Sequence, residues 1–126
     1  MSKEIINTPD APAPIGPYSQ AVKAGGFLFI SGQIAIIPGT SELKTENITA
    51  ETEQVMKNLK AILQQSQLSF SNVVKTTIFL KDMSFFALVN DEYGKYFNSD
   101  FPARETVAVK GLPKDVNVEI SMTAVL

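Results

Sequence analysis

Two runs near the end of the chain show the clearest alternation of side chains. In residues 116–124 every second position is apolar and the positions between are polar. Residues 103–109 divide into two faces, with Glu105 on one and with Arg104 and Thr106 on the other. Because successive side chains of a strand point to opposite faces of a sheet, both runs predict β-strands. The turn-forming residues 111–115 between them predict that these strands pair as a hairpin.

Three further strands are predicted earlier in the chain, because three runs are rich in β-branched, aromatic and other apolar residues. Gly25 and Gly26 separate the first two and predict a tight turn. A proline-rich segment before them, residues 7–17, predicts an extended arm without regular structure. The predicted strands are residues 18–24, 27–35 and 72–81.

Two helices are predicted between these strands, where apolar residues recur at helical spacing. The first is predicted to begin at a Thr49 N-cap and to end near Gln67, and Ser84 is the predicted cap of the second. The element order is therefore ββαβαββ. This order predicts one domain, residues 1–126, with an α+β fold in which two helices pack on one face of a single mixed sheet.

One strand is apolar on both of its faces, at residues 27–30 (FLFI). Two helices suffice to cover only one face of the sheet. The pattern thus favours an oligomer whose subunits meet sheet to sheet, an arrangement that creates pockets for small ligands between subunits. The alternative is a second face open to solvent, as in many antiparallel sheets.

The composition narrows the chemistry. The 126 residues contain no histidine, no cysteine and a single arginine, Arg104. This excludes a Ser-His-Asp triad, a cysteine nucleophile and a zinc site of Cys and His ligands. The net charge of −2 and the absence of a lysine block give no sign of nucleic-acid binding. No apolar run is long enough to span a membrane, and the first ten residues lack a signal-peptide pattern, so a cytoplasmic protein is expected.

The single guanidinium is the main candidate for ligand binding. An arginine grips a planar carboxylate with two parallel hydrogen bonds, although a structural ion pair is an equally good explanation of Arg104. In the predicted hairpin, Arg104 and Glu119 are diagonal neighbours on one face, about 7–8 Å apart. That spacing suits a small molecule held between them or a direct ion pair, and it does not choose between the two.

No other segment carries a specific signal for a metal or a cofactor. The chain lacks the glycine-rich fingerprints of dinucleotide and phosphate sites, and its acidic residues do not have metal-ligand spacing. Ser31-Gly32-Gln33 ends an apolar strand, where small residues either let a ligand approach the backbone or mark a bulge.

Several segments taken together resemble the Rid family, the reactive intermediate deaminases also called the YjgF family, and most of all its RidA branch. They follow one another in order over nearly the whole chain. The segments are residues 16–22 (GPYSQAV), 29–34 (FISGQI), 58–63 (NLKAIL), 73–77 (VVKTT), 90–93 (NDEY), 101–104 (FPAR), 112–115 (LPKD) and 118–120 (VEI).

The resemblance implies a homotrimer of chorismate-mutase-like subunits with clefts between neighbours. It also implies an enzyme that hydrolyses 2-aminoacrylate, 2-aminocrotonate and related imines (2-iminopropanoate, 2-iminobutanoate) to 2-oxo acids and ammonia, without a cofactor or a metal. Its only partners are then further copies of the chain and a small substrate that bears a carboxylate.

Residue by residue, the resemblance assigns two catalytic groups. Arg104 matches the arginine that binds the substrate carboxylate, and Glu119 matches the glutamate that positions water or carries a proton. The remaining matches line the cleft, and at one of them threonine replaces a common cysteine. These residues are Tyr18, Ser31, Gly32, Asn90 and Thr106.

Two other functions remain open. The same cleft in a non-catalytic module would bind a small carboxylate, such as a 2-oxo acid, as a regulatory ligand. An RNA-directed role, as translation inhibitor or ribonuclease, is the third hypothesis, and the acidic pI of about 5.1 argues against it.

Overall fold

The computed structural model describes residues 2–126, which form six strands and two α-helices, with three single turns of 3-10 helix between them. The strands are β1 (Glu4–Ile6), β2 (Ala21–Ala24), β3 (Phe27–Gln33), β4 (Val73–Leu80), β5 (Ala103–Ala108) and β6 (Val118–Val125). The helices are α1 (Ile48–Gln65) and α2 (Phe86–Gly94). The predicted ββαβαββ order is confirmed from β2 onward, and β1 is an additional short strand.

All six strands form one mixed sheet in the order β1-β2-β3-β6-β4-β5. Only β4 and β5 are parallel, because α2 connects them as a crossover. The last strand, β6, lies in the middle and pairs antiparallel with both β3 and β4. The predicted hairpin of residues 103–109 with residues 116–124 is therefore wrong. A strand alternation specifies which face a side chain takes, but it does not specify the neighbouring strand.

Both helices pack on the same face of the sheet, as predicted. The apolar stripe of α1 and the apolar positions of β6 are buried against each other, and each large apolar side chain contributes about 1.5–3 kcal/mol when fully buried. The stripe consists of Val55, Met56, Leu59, Ile62 and Leu63. The matching positions of β6 are Val118, Ile120, Met122 and Ala124.

The helix starts differ from the prediction by a few residues. Asn47, not Thr49, caps α1, and its side-chain oxygen accepts a hydrogen bond of 2.8 Å from the Ala50 amide. Before α2, the Asp82 carboxylate accepts from the Ser84 amide and begins a 3-10 turn, so that Ser84 caps neither helix. In both cases a polar residue two positions earlier supplies the acceptor, and both residue types are favoured as caps.

The opposite face of the sheet carries no helix, and we call it the open face. Phe27, Phe29, Val107 and Val125 are exposed on it by 40–47% in the single chain. Their neighbours Leu28 and Ile30 point the other way and are buried in the helix layer. Within residues 2–126, no helix has the length and apolarity needed to cross a membrane.

Candidate functional site

Glu119 lies on the open face, at the wall of a pocket of about 370 Å³ that we call the Glu119 pocket. Its carboxylate rests directly on the backbone of Gly32, so closely that a Cβ at Gly32 would stand 2.2 Å from Glu119 Oε2. Gly32 lies in a bulge of β3, where the pairing with β6 shifts between Ile30 and Gln33. Of the two features that the sequence left open at this position, the structure shows the bulge, and the group that approaches the backbone is the Glu119 side chain.

Three predicted site residues join Glu119 in this pocket, namely Tyr18, Ser31 and Gly32. Ser31 is fixed by the chain before β2, because its hydroxyl donates a hydrogen bond of 2.6 Å to the carbonyl of Ser19. Burial raises the pKa of the Glu119 carboxyl above its usual range. A carboxyl with a raised pKa suits proton transfer near neutral pH.

The proline-rich arm closes one side of the Glu119 pocket through Pro12, Ala13 and Ile15. Gln20 holds the arm in place. Its buried side chain donates hydrogen bonds of 3.0 and 2.9 Å to the carbonyls of Thr8 and Pro12, and it accepts one of 2.7 Å from the Thr8 amide. The sequence predicted the extended arm but did not indicate that it lines this pocket.

Arg104 lies in a second pocket, of about 500 Å³, that we call the Arg104 pocket. The guanidinium carbon stands 5.2 Å from the ring centre of Tyr93 and 5.8 Å from that of Phe86, both in α2. Among residues 2–126, no acidic side chain forms an ion pair with Arg104. Of the two explanations of this arginine, an ion pair within the chain is therefore not the one that the structure shows.

The Tyr93 ring packs against the Arg104 guanidinium. Its hydroxyl donates a hydrogen bond of 3.0 Å to Thr76, which is the β4 residue paired with Arg104. Burial raises the pKa of the Tyr93 phenol and keeps it neutral. Tyr93 was not among the predicted site residues, and its place in the NDEY segment was the available signal.

Two more predicted residues lie on the Arg104 side. Asn90 lines the same pocket. Thr106 projects from β5 to the same face as Arg104, and its buried hydroxyl has no hydrogen-bond partner among the described residues. A buried hydroxyl without a partner is uncommon in folded proteins and is often explained by a missing ligand or water.

The seven predicted site residues thus form two groups on opposite faces of one sheet. Arg104 pairs with Thr76 and Glu119 with Phe79, three positions further along β4 and on its other edge. Two strand spacings and three residues separate their Cα atoms by roughly 14 Å. The predicted arrangement, with Arg104 and Glu119 as diagonal neighbours on one face, is wrong because β4 lies between β5 and β6.

Glu105 follows Arg104 in β5 but does not compete for it. Its carboxylate forms an ion pair of 2.8 Å with Lys75 on the open face and accepts a hydrogen bond from Thr77. The Lys75 hydrogen bond, together with that from Thr77, holds the pKa of Glu105 below its usual range. In the described part of the chain, no three acidic residues gather into a group able to hold a metal ion.

Comparison with known proteins gives close relatives over the full length. The chain is 52% identical over 122 residues to a RutC family protein of Pyrococcus horikoshii, with 97% of each protein covered. It is 45% identical to the chloroplastic Reactive Intermediate Deaminase A of Arabidopsis thaliana, with 100% of this chain and 67% of that protein covered. The crystal structure of E. coli TdcF with bound serine matches with a TM-score of 0.93 at 38% identity, over 98% of both chains.

The family model described as Endoribonuclease L-PSP matches residues 8–126. Two helices on one face of a single mixed sheet are the fold that the solved relatives share with this chain. The chain therefore belongs to the Rid family, which includes Reactive Intermediate Deaminase A.

Proposed function

We propose that this protein hydrolyses reactive imines and enamines, such as 2-aminoacrylate and 2-aminocrotonate, to 2-oxo acids and ammonia. The observation that carries the proposal is the pair of pockets. One contains the Arg104 guanidinium and the Asn90 side chain, and the other contains a carboxyl with a raised pKa. These are the groups that a small, carboxylate-bearing imine requires.

Arg104 is the proposed binding group. Its guanidinium makes two parallel hydrogen bonds to the substrate carboxylate, and the ring of Tyr93 limits the directions in which the guanidinium points. We propose that the Asn90 amide, in the Arg104 pocket, and the Thr106 hydroxyl, on the same face of β5, contact polar atoms of the same molecule. Lysine at position 104 would keep the charge but lose the two-pronged geometry.

Glu119 is the proposed proton carrier. The enamine first takes a proton on its terminal carbon and becomes an imine. Water then adds to the imine carbon, the C=N electron pair moves to nitrogen, and Glu119 takes a proton from the water and returns one to nitrogen. When this adduct collapses, Glu119 passes the hydroxyl proton to the nitrogen, the C–N bond breaks with its electron pair on nitrogen, and ammonia leaves as the C=O of the 2-oxo acid forms. An imine is already electrophilic, so that positioning and one acid–base group suffice without a cofactor.

The two pockets are proposed to meet between copies of the chain, in a homotrimer. They lie on opposite faces of the sheet, one at the edge strand β5 and the other at the central strand β6, and such distinct patches contact head to tail. Head-to-tail contacts that close form a ring in which each site takes Arg104 from one subunit and Glu119 from the next. The exposed apolar side chains of the open face support burial against another copy.

Two relatives support this assignment by their names alone. One is called Reactive Intermediate Deaminase A, and the TdcF structure contains serine, a small molecule that bears both a carboxylate and an amino group. Serine has a carboxylate, the group that Arg104 is proposed to bind.

The decisive assay generates 2-aminoacrylate in situ with a serine dehydratase and follows pyruvate formation. We expect the wild type to accelerate it over the uncatalysed rate. Arg104→Ala is expected to lose about 100-fold in kcat/KM because two charge-assisted hydrogen bonds are removed. Glu119→Gln is expected to lose about 100-fold or more in kcat. Glu53→Gln, an exposed carboxylate on α1, is the matched control.

No acceleration by the wild type would contradict the deaminase proposal. If the wild type then bound a 2-oxo acid through Arg104 and Glu119→Gln bound it equally well, the chain would be a binding module instead.

Mixing two inactive variants tests the shared site. When Arg104→Ala and Glu119→Gln are co-expressed and assemble at random in a ring, about a quarter of the interfaces combine an intact Arg104 with an intact Glu119. We expect about a quarter of the wild-type activity to return. If both groups acted within one chain, no mixture of these variants would be active.

A further inference from the structure

Glu51 is a buried carboxylate in the first turn of α1 whose hydrogen bonds all leave the helix. Its side chain is completely buried. Oε2 accepts from the backbone amides of Asn117 and Val118, at 2.8 and 3.2 Å, and Oε1 accepts from the Asn117 side-chain amide at 2.8 Å. Among residues 2–126, Glu51 forms no ion pair, and its three donors are neutral amides.

The two residues whose backbone amides bind Glu51, Asn117 and Val118, directly precede Glu119. The Asn117 carbonyl accepts a hydrogen bond of 2.9 Å from the Lys81 amide at the end of β4. The backbone before Glu119 is therefore held from the helix layer by Glu51 and from the sheet by β4.

The loop before this point is tied to the end of β4 by an ion pair of 2.9 Å between Asp115 and Lys81, but its backbone is strained. Lys114 and Asp115 both have a positive φ, 54° and 56°, a conformation that residues other than glycine rarely adopt. Pro113 of the same loop lines the Glu119 pocket. A strained loop needs an anchor at its end if the next side chain is to keep one position, and Glu51 provides it.

We propose that Glu51 is a positioning residue for Glu119: its carboxylate fixes the backbone of residues 117 and 118 and thereby the place of the Glu119 carboxyl in the pocket. The effect of Glu51 on catalysis rests on the proposed function, whereas its effect on the position of Glu119 does not. Position 51 requires a side chain with two hydrogen-bond acceptors, or with one acceptor and one donor matched to the side chain of residue 117. It does not require a negative charge.

The Asn117 side chain makes this requirement testable. Glutamine at position 51 keeps one oxygen for the two backbone amides. Its new amide group faces the Asn117 side chain, which satisfies it by turning its own amide so that the oxygen accepts. Aspartate at position 117 instead sets a second carboxylate against Glu51, and glutamine at 51 relieves that repulsion by donating to it.

The experiment compares Glu51→Ala, Glu51→Gln, Asn117→Asp and the double variant Glu51→Gln/Asn117→Asp in the pyruvate assay. We expect Glu51→Ala and Asn117→Asp to lose about 10- to 100-fold in kcat, with KM changed less than threefold, because Arg104 still binds the carboxylate. Glu51→Gln and the double variant are expected to stay within about threefold of the wild type in kcat.

Thr52→Ala is the matched control for a loss of stability alone. Thr52 is the next residue of α1 and is also completely buried, but its hydroxyl donates only to the Ile48 carbonyl within the helix. Its removal weakens α1 without touching β6, so kcat is expected to stay near that of the wild type. A loss in Thr52→Ala equal to that in Glu51→Ala would overturn the proposal, as would a loss in Glu51→Gln.

A second readout does not depend on activity. Carbon-13 NMR of labelled glutamate follows the titration of the Glu119 carboxyl, whose titratable neighbour in the pocket is Tyr18; Lys75 and Glu105 lie farther along the open face. We expect the Glu119 titration to move toward that of an exposed glutamate in Glu51→Ala and to remain at the wild-type position in Glu51→Gln. An inactive wild type would contradict only the proposed function, whereas an unmoved Glu119 titration in Glu51→Ala would contradict the role of Glu51. If Glu51→Ala does not fold, the same comparison is made between Asn117→Asp and the double variant.

Discussion

At the scale of single residues, the Glu119 pocket depends on a missing side chain. The Glu119 carboxylate occupies the space that a Cβ at position 32 would take, and it lies there because Gly32 has none. The backbone of Gly32 does not have a positive φ, so any L-residue can adopt it. The reason for glycine at this position is therefore the carboxylate and not the conformation of the chain.

Replacing Gly32 by alanine should displace the Glu119 carboxylate, the proposed proton carrier, while leaving the fold intact. The methyl group collides with the far end of a flexible side chain, which moves aside. We expect kcat/KM to fall about 100-fold, as misplacement of a catalytic group by about 1 Å does. The free energy of unfolding should change by less than about 1 kcal/mol. Enzyme kinetics and urea denaturation measure the two quantities.

Gly111→Ala is the control for this substitution, because a Cβ at Gly111 meets no atom within 4 Å. It should leave both activity and stability near the wild type. A Gly32→Ala variant with full activity would show that Glu119 does not act from the position seen in the structure.

The raised pKa of Glu119 also predicts how stability depends on pH. Because burial raises the pKa of Glu119 in the folded state, the folded protein binds a proton more tightly than the unfolded chain does. The stability of the wild type therefore decreases as pH rises from the unfolded value through the raised one. Glutamine does not titrate, so Glu119→Gln should melt at a higher temperature than the wild type at pH 7, and the difference should vanish near pH 3.5.

Glu105→Gln should show the opposite sign. The Lys75 hydrogen bond lowers the pKa of Glu105 in the folded state, so its contribution to stability is present above the unfolded value and lost as pH falls. This variant should therefore melt below the wild type at pH 7, with a gap that narrows in acid. Melting curves of both variants from pH 3.5 to 7 check the two signs, and equal slopes for the two would contradict the prediction.

At the scale of elements, α1 serves as an anchor for the segments that build the Glu119 pocket. Besides Glu51, the buried Asn58 donates hydrogen bonds of 3.1 and 3.0 Å to the carbonyls of Ile34 and Ile36, and it accepts one of 2.9 Å from Gln54. Ile34 and Ile36 follow β3 and line the pocket. The helix thus holds the chain on both sides of the Glu119 carboxyl.

Asn58→Ala should be among the more destabilising substitutions in α1. It leaves two buried carbonyl groups without their donor, and we expect the free energy of unfolding to fall by about 2–3 kcal/mol. Asn72→Ala is the control, because both hydrogen bonds of the Asn72 side chain, to the Val125 carbonyl and from the Ser69 amide, are exposed, and their removal should change stability by about 1 kcal/mol or less. Urea denaturation measures both. Equal effects would show that the Asn58 hydrogen bonds are replaced by water.

The elements themselves were predictable from sequence, but their neighbours were not. Alternation correctly separated Arg104 from Glu105 and placed Glu119 opposite the apolar face of β6, because faces follow from a period of two. The turn at residues 111–115 suggested a local hairpin, yet β6 pairs with β3 and β4, which come much earlier in the chain. Pairing between distant strands depends on how the whole sheet packs, and no pattern within residues 103–124 contains that information. The faces on which Arg104 and Glu119 lie were therefore predictable, but the distance and the strand between them were not.

At the scale of the whole molecule, the open face connects the fold to the proposed trimer. Phe29 lies in its middle on β3 and is 47% exposed in the single chain. A charged residue there would have to be buried between subunits, which is unfavourable without a partner. The fold of the single chain does not depend on this side chain, because the buried residues of β3 point to the helix layer.

Phe29→Asp should therefore give a folded monomer with little activity. We expect sedimentation analysis to show a single chain in place of a trimer, and the pyruvate assay to fall at least about 100-fold because each site loses one of its halves. Leu88→Asp is the matched control, since Leu88 is 51% exposed but lies on α2 in the helix layer. A Phe29→Asp variant that is monomeric and fully active would contradict the shared site.

The central position of β6 has a consequence for how the protein folds during its synthesis. Strands β3 and β4 do not pair with each other, and the two parts of the sheet, β1-β2-β3 and β4-β5, are joined only through β6. During translation the ribosome releases β1 to β5 before the strand that joins them. Until β6 is available, β3 and β4 each lack one of their partner strands, and their unpaired edges are open to chaperones or to other nascent chains. The sheet becomes continuous only when the polypeptide has left the exit tunnel as far as residue 125.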